Sequence, residues 1–234
     1  MKRVLKRLLA YRPLDDTAAV RAALEPLRRE DGLPVCPPWE GDLIHETISG
    51  IRAADCLEIG FHTGSSAVYM LNAVRPFAGT VTSIEPNPEN ARGFATVAAY
   101  DPLANHKVIE SLSHEALPRL LSDGRRFDFI FLDAWKTLDA LVTDCYFATR
   151  LLRTGGILFF DDHQMPSVRK AARMMRSHYG YAPMRALPAH AGWQFRLYLA
   201  LTCGTRHMPF VRLQKILDDA DAPAVKDWHF DAAI

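Results

Sequence analysis

From Ala53 onward, short apolar, β-branched runs alternate with longer stretches whose apolar positions recur at helical spacing. That alternation is the pattern of β-α units wound around a parallel sheet. Cys56 to Gly60 predicts a first strand, followed by a helix from about Ser65 to Val74. Thr80 to Ile84 predicts a second, with a helix beginning near Pro88, where proline suits the first turn. Lys107 to Glu110 reads as a short third strand, and Ser113 with Glu115 opens a leucine-rich helix. Phe127 to Leu132 is apolar on both faces, as a central parallel strand should be. Its helix runs from Thr137 to Leu152, with Thr154-Gly155-Gly156 as the stop. Ile157 to Phe160 is the fifth strand, and a helix follows from about Ser167 to His178.

After Gly180 the pattern changes. Met184 to Leu187 and Trp193 to Leu201 are joined by the short link Pro188 to Gly192, which predicts an antiparallel final pair. The fold class is therefore α/β: a Rossmann-like, doubly wound, mostly parallel seven-stranded sheet with an antiparallel last strand. Residues 1–52 read as a helical extension whose segment Leu33 to Gly41 is a loop covering the site. Residues 53–204 form the ligand-binding catalytic domain, and residues 205–234 are a tail with one helical run, Phe210 to Leu217.

Composition narrows the setting. The 234 residues are 49% hydrophobic, enough for a full-sized core, and the net charge of +1 calls for no nucleic-acid partner. Cys36, Cys56, Cys145 and Cys203 are scattered without zinc-ligand spacing, which fits a reducing, cytoplasmic location. Residues 1–12 hold five basic side chains and no acidic one, too short and interrupted for a membrane span. As an amphipathic helix they can lie on an anionic membrane surface; docking on the chain's own domain or on a second subunit is favoured, because two turns bury little apolar area. This helix and the tail are the candidate contacts of a homodimer.

The candidate chemistry sits where the strands end. Leu57-Glu58-Ile59-Gly60-Phe61-His62-Thr63-Gly64-Ser65-Ser66 reads as a strand breaking into a glycine turn that opens a helix, a geometry that holds a small ligand. Glu85 closes the next apolar run, where a carboxylate meets the two hydroxyls of a ribose. Gly60 and Gly64 lack the G-x-G-x-x-G spacing of dinucleotide sites, and no Gly-Lys-Ser/Thr follows. Ligands of such sheets bind beyond the carboxyl ends of the strands, which brings Asp133, Asp161 and Asp162 to one rim. Three such oxygen donors are the ligand set of Mg²⁺, although each aspartate can instead cap a turn. Trp135 is either packing or a wall for a flat substrate, and Lys136 either a solvated lysine or a base whose pKa a neighbouring cation lowers. His62 and His163 have the character of surface loop residues.

Leu57 to Ala67, Ser83-Ile84-Glu85-Pro86-Asn87, Phe129 to Lys136 and Gly155 to Asp162 resemble the successive motifs of class I S-adenosylmethionine-dependent methyltransferases. More narrowly they are similar to the metal-dependent catechol and sugar O-methyltransferases. The resemblance spans about Ala53 to Arg173. It implies that Glu58, Gly60 and the turn residues Phe61, His62 and Gly64 border the cofactor's methionine part, with Ser66 near its carboxylate. Glu85 would hold the ribose, with Ser113 and His114 at the adenine edge. Asp133, Asp161 and Asp162 would bind Mg²⁺, Asp133 would also border the cofactor, and Lys136 would be the base. Asp161-Asp162 stands where the catechol enzymes carry Asp-Asn, closer to the sugar enzymes. The implied partner is a small-molecule hydroxyl acceptor. A metal-independent methyltransferase and a non-catalytic binder of S-adenosylmethionine remain alternatives.

Overall fold

The computed structural model describes residues 11–30, 33–87, 91–101, 104–184, 195 and 208–218. Two helices come first, α1 at Ala18–Arg28 and α2 at Pro38–Ile51. The alternating region then gives β1 (Asp55–Ile59), α3 (Ser65–Val74), β2 (Thr80–Ile84), α4 (Ala91–Tyr100), β3 (His106–Ile109), α5 (Ser113–Ser122) and β4 (Phe127–Leu132). It continues with α6 (Leu138–Leu151), β5 (Leu152–Phe160), α7 (Pro166–His178), β6 (Tyr181–Pro183) and β7 (Val211–Lys215). One seven-stranded sheet results, ordered β3-β2-β1-β4-β5-β7-β6. Strands β1 to β5 are parallel, and β7 runs antiparallel to both of its neighbours.

The sheet separates two cores because successive side chains on a strand point to opposite faces. Phe129, Phe131 and Phe159 pack with Leu43, Ile44, Val68 and Met70 of α2 and α3. Ile130, Leu132, Leu158 and Phe160 pack with Leu117, Leu151 and Met175 of α5, α6 and α7. The N-terminal segment is pinned by a buried carboxylate: Asp42 accepts bonds from Tyr11 Oη (2.7 Å), the Leu14 N–H (2.8 Å) and Thr17 Oγ1 (2.5 Å). From Tyr11 on, the extension therefore docks on its own domain; residues 1–10 lie outside the described residues.

Four expectations are corrected. The run Phe210 to Leu217 is a strand, not a helix: Leu213 is fully buried in the sheet, and the ladder between β5 and β6 overrides the helical reading. That strand belongs to the sheet although it lies beyond residue 204. Thr154-Gly155-Gly156 stops no helix; α6 ends at Leu151 and β5 begins at once. The two glycines instead sit where the β4–β5 register shifts, a bulge that Gly155, at φ +86°, can adopt. The covering segment is extended only to Pro37, and Trp39, Glu40 and Gly41 form the first turn of α2 behind Pro38. Of the expected strand Trp193 to Leu201 only Phe195 is described, and its backbone is helical, not extended; the Pro188 to Gly192 link and the helix start at Pro88 lie outside the described residues.

Candidate active site

The register of the sheet builds the rim. Ile84, Ile59, Leu132 and Phe160 are aligned across β2, β1, β4 and β5, so the next residues, Glu85, Gly60, Asp133 and Asp161, stand side by side. Asp133 N–H donates to the Ile59 carbonyl (2.9 Å) and Asp161 N–H to the Leu132 carbonyl (3.2 Å), which carries the ladder one step past the strands. Gly60 takes φ +99°, and a Cβ there would collide with the Asp133 carbonyl. The glycine turn is thus shaped around the neighbouring strand end as well as around a ligand.

Two chambers of about 470 and 490 Å³ adjoin across Gly60, Pro86, Ala134 and Trp135. Both lie in the volume range of small-molecule sites. Ser113 and His114 line the first; Phe61, His62, Ser66, Glu85, Asp133 and Asp161 line the second. Trp135 borders both and is 71% exposed, which leaves its ring uncommitted to either core.

The sequence-predicted residues fall into distinct situations. Glu85 Oε2 accepts from the N–H groups of Phe61 (3.2 Å) and His62 (2.9 Å), and Oε1 from that of Asn87 (2.9 Å), so this carboxylate also braces the glycine turn. His62 holds a left-handed backbone with φ +43°. Phe61 turns inward and stacks between Phe94 and His106, each ring centroid at 5.2 Å. Gly64, also left-handed, caps α3.

Glu58 is fully buried and is not among the residues lining either chamber. It accepts hydrogen bonds from Ser66 Oγ and from Ser83 Oγ (2.5 Å), and so fixes Ser66, which does line one. Burial pushes its carboxyl up to about 8 against the lowering effect of the two hydroxyls, with Asp133 and Glu85 adding to the rise. The folded state keeps this proton to higher pH than the unfolded chain does, so the stability it contributes is full in acid and is lost as pH rises through about 8. Glu58→Gln should flatten that fall. At about pH 9 we expect it to be more stable than the parent by on the order of 3 kcal/mol, seen as a higher Tm by about 6–12 °C.

Asp133, Asp161 and Asp162 converge, one oxygen of each lying within 4.8 Å of the others. Asp162 reaches the cluster through a left-handed backbone (φ +56°), and its Oδ1 accepts from Gln164 Nε2 (2.7 Å). Lys136 Nζ stands behind them, 2.9 Å from Asp133 Oδ1 and 3.6 Å from Asp162 Oδ2. Burial lowers the lysine pKa, but Asp133, Asp161 and Asp162 outweigh it and the net direction is upward. The protein's own groups therefore act against the lowering expected of a base. Asp133 is pushed up, by desolvation first and by Asp161 next.

Sequence reasoning missed Glu40. It is 5% exposed, lines the second chamber beside Asp161, and its Oε1 has no hydrogen-bond partner. Burial, then Asp161 and Asp133, raise its pKa well above the ordinary carboxylate value. The segment before α2 ties it to the turn: Cys36 N–H donates to Ser65 Oγ (2.9 Å), and Thr63 Oγ1 donates to the Pro34 carbonyl (2.9 Å). A Pro-Pro helix start followed by an acidic first turn was the available signal.

The fold and this rim define a class. The Methyltransferase domain family profile matches residues 57–163. Porcine (Sus scrofa) catechol O-methyltransferase is 30% identical over 152 residues, 60% of this chain and 80% of that one. Caffeoyl-CoA O-methyltransferase 2 of Petunia hybrida is 29% identical over 69% of this chain and 70% of its own. The O-methyltransferase of Streptomyces achromogenes involved in tomaymycin synthesis, solved with S-adenosylmethionine, superposes with a TM-score of 0.65 at 19% identity, covering 92% of this chain and 95% of that one. The chain belongs to the class I S-adenosylmethionine-dependent O-methyltransferases. Among the described residues, no helix is long and apolar enough to cross a membrane.

Proposed function

We propose that the protein methylates a hydroxyl of a small molecule, phenolic and catechol-like or a sugar, with the help of a divalent ion that Asp133, Asp161 and Asp162 would hold. The observation that carries this reading is the convergence of three carboxylates beside Lys136, at the meeting of the strand ends with the second chamber. Three hard oxygen donors with one nearby ammonium leave uncompensated negative charge, which suits Mg²⁺ in kind and number. When bound, the ion supplies Lewis acidity that lowers the pKa of the acceptor hydroxyl. S-adenosylmethionine supplies the methyl group and its sulfonium leaving group.

The chain's own residues do the rest. Gly60 and Ser66 border the methionine part of the donor, Glu85 accepts from the ribose hydroxyls, and Ser113 with His114 flank the adenine. Lys136 takes the acceptor's proton at Nζ, which requires that it first lose its own. Trp135 offers a flat wall beside the acceptor. Holding both reactants in line, with water displaced, is the larger part of the protein's contribution.

Chelation tests the metal. After EDTA treatment, turnover on catechol should fall by at least about tenfold and return with Mg²⁺. Asp162→Ala should weaken Mn²⁺ binding, read by electron paramagnetic resonance of the free ion, by about tenfold to a hundredfold. Unchanged turnover in EDTA together with normal methylation by the variant would instead support a metal-independent O-methyltransferase in which Asp161 and Asp162 are caps or substrate acceptors.

A further inference from the structure

On α6, Leu141, Asp144, Cys145 and Ala148 occupy one buried stripe at the i, i+3, i+4, i+7 spacing of a helix packed into a core. Three of the four are apolar or small, and the fourth is a carboxylate. Asp144 is 2% exposed and lines the first chamber with Ser113, His114 and Trp135. Ser113 lies beside its carboxyl, while its Oδ1, buried, has no partner. A buried acceptor left unpaired is costly, so a carboxylate in this stripe calls for a donor that the protein does not supply. Asp139, on the same chamber wall, is exposed and open to water, so it offers no equivalent.

We infer that Asp144 reads the exocyclic amine of the donor's adenine, accepting a hydrogen bond from it and making the site selective for a 6-amino over a 6-oxo purine. The inference rests on the reading that places adenine in the Ser113–His114 chamber. An ionised carboxylate only accepts, an amine donates, and a 6-oxo group only accepts, so the same oxygen that favours adenine repels hypoxanthine. Burial raises the Asp144 carboxyl to about 6, which leaves it mostly ionised at neutral pH.

Calorimetric titration of the full chain with S-adenosylhomocysteine and with S-inosylhomocysteine tests this directly. The parent should bind the adenosine compound about tenfold to a hundredfold more tightly. Asp144→Asn keeps the shape but can present an amide N–H or C=O, so the ratio should fall below about threefold, mainly by loss of affinity for the adenosine compound. Ser113→Ala should retain most of the selectivity. If the parent binds both compounds equally, or if Asp144→Asn keeps the parental ratio, the inference is overturned. The parental ratio is decisive even where a variant fails to fold. Failure of the parent to bind S-adenosylhomocysteine at all would instead defeat the underlying placement of the donor.

Discussion

Lys136→Met should cost about 10²–10⁴ in kcat, the range of a positioned general base, with affinity for S-adenosylhomocysteine held within about threefold. The first effect corresponds to about 3–5 kcal/mol of barrier. The second follows because Lys136 borders neither chamber, and its Nζ contacts Asp133 and the Leu132 carbonyl. Lys136→Arg separates the two roles this lysine can play. Arginine keeps the positive charge facing Asp133 and Asp162 but does not give up its proton near neutral pH. If the lysine is a base, Arg fails as Met does; if it only balances charge, Arg restores most of kcat. Thermal unfolding supplies a second readout. Removing the ammonium leaves three converging carboxylates to repel one another, so Lys136→Met should melt lower than the parent in EDTA. In excess Mg²⁺ it should recover, and by more than the parent gains, because an ion that binds only the folded state stabilises it.

The parallel half of the sheet was legible because its strands are buried on both faces and read as unbroken apolar runs. Phe127 to Leu132 is the clearest instance, and its bounds match β4. Once those strand ends were placed, the rim followed from register alone: Gly60, Glu85, Asp133 and Asp161 each lie one step beyond aligned positions. What escaped depended on partners distant in sequence. Val211–Lys215 has no local signal strong enough to outvote a helical reading; its identity as a strand comes from β5, more than fifty residues earlier, which supplies the ladder. Glu40 could not be placed beside Asp161 from spacing, since the contact depends on how α2 packs over the turn. Asp144 left a legible trace that went unread, a single carboxylate on an apolar helical stripe, and such breaks in pattern mark functional positions.

Gly60→Ala should destabilise the protein by about 2–5 kcal/mol and abolish tight binding of S-adenosylhomocysteine in the same stroke. Two costs add. A φ of +99° is open to glycine but strains any residue carrying a Cβ, by about 1–2 kcal/mol. The new methyl group would also press on the carbonyl and peptide of Asp133 and on Ala134 N. Those are backbone atoms inside a ladder, so they cannot swing aside as a side chain would, and overpacking of this kind adds about 1–3 kcal/mol. Relief can come only by moving the end of β4 away from β1, which carries Asp133 out of line with Asp161 and Glu85. Tm should fall by about 4–20 °C, a large share of a domain's margin. Gly50→Ala is the control: it lies in α2 with nothing within 4 Å of the added carbon, and should be neutral or stabilising by up to about 1 kcal/mol. A Gly60→Ala protein that melted with the parent would show that the turn can shift without the neighbouring strand. Its ligand and metal affinities, measured separately, would then show whether the two chambers depend on that strand end at all.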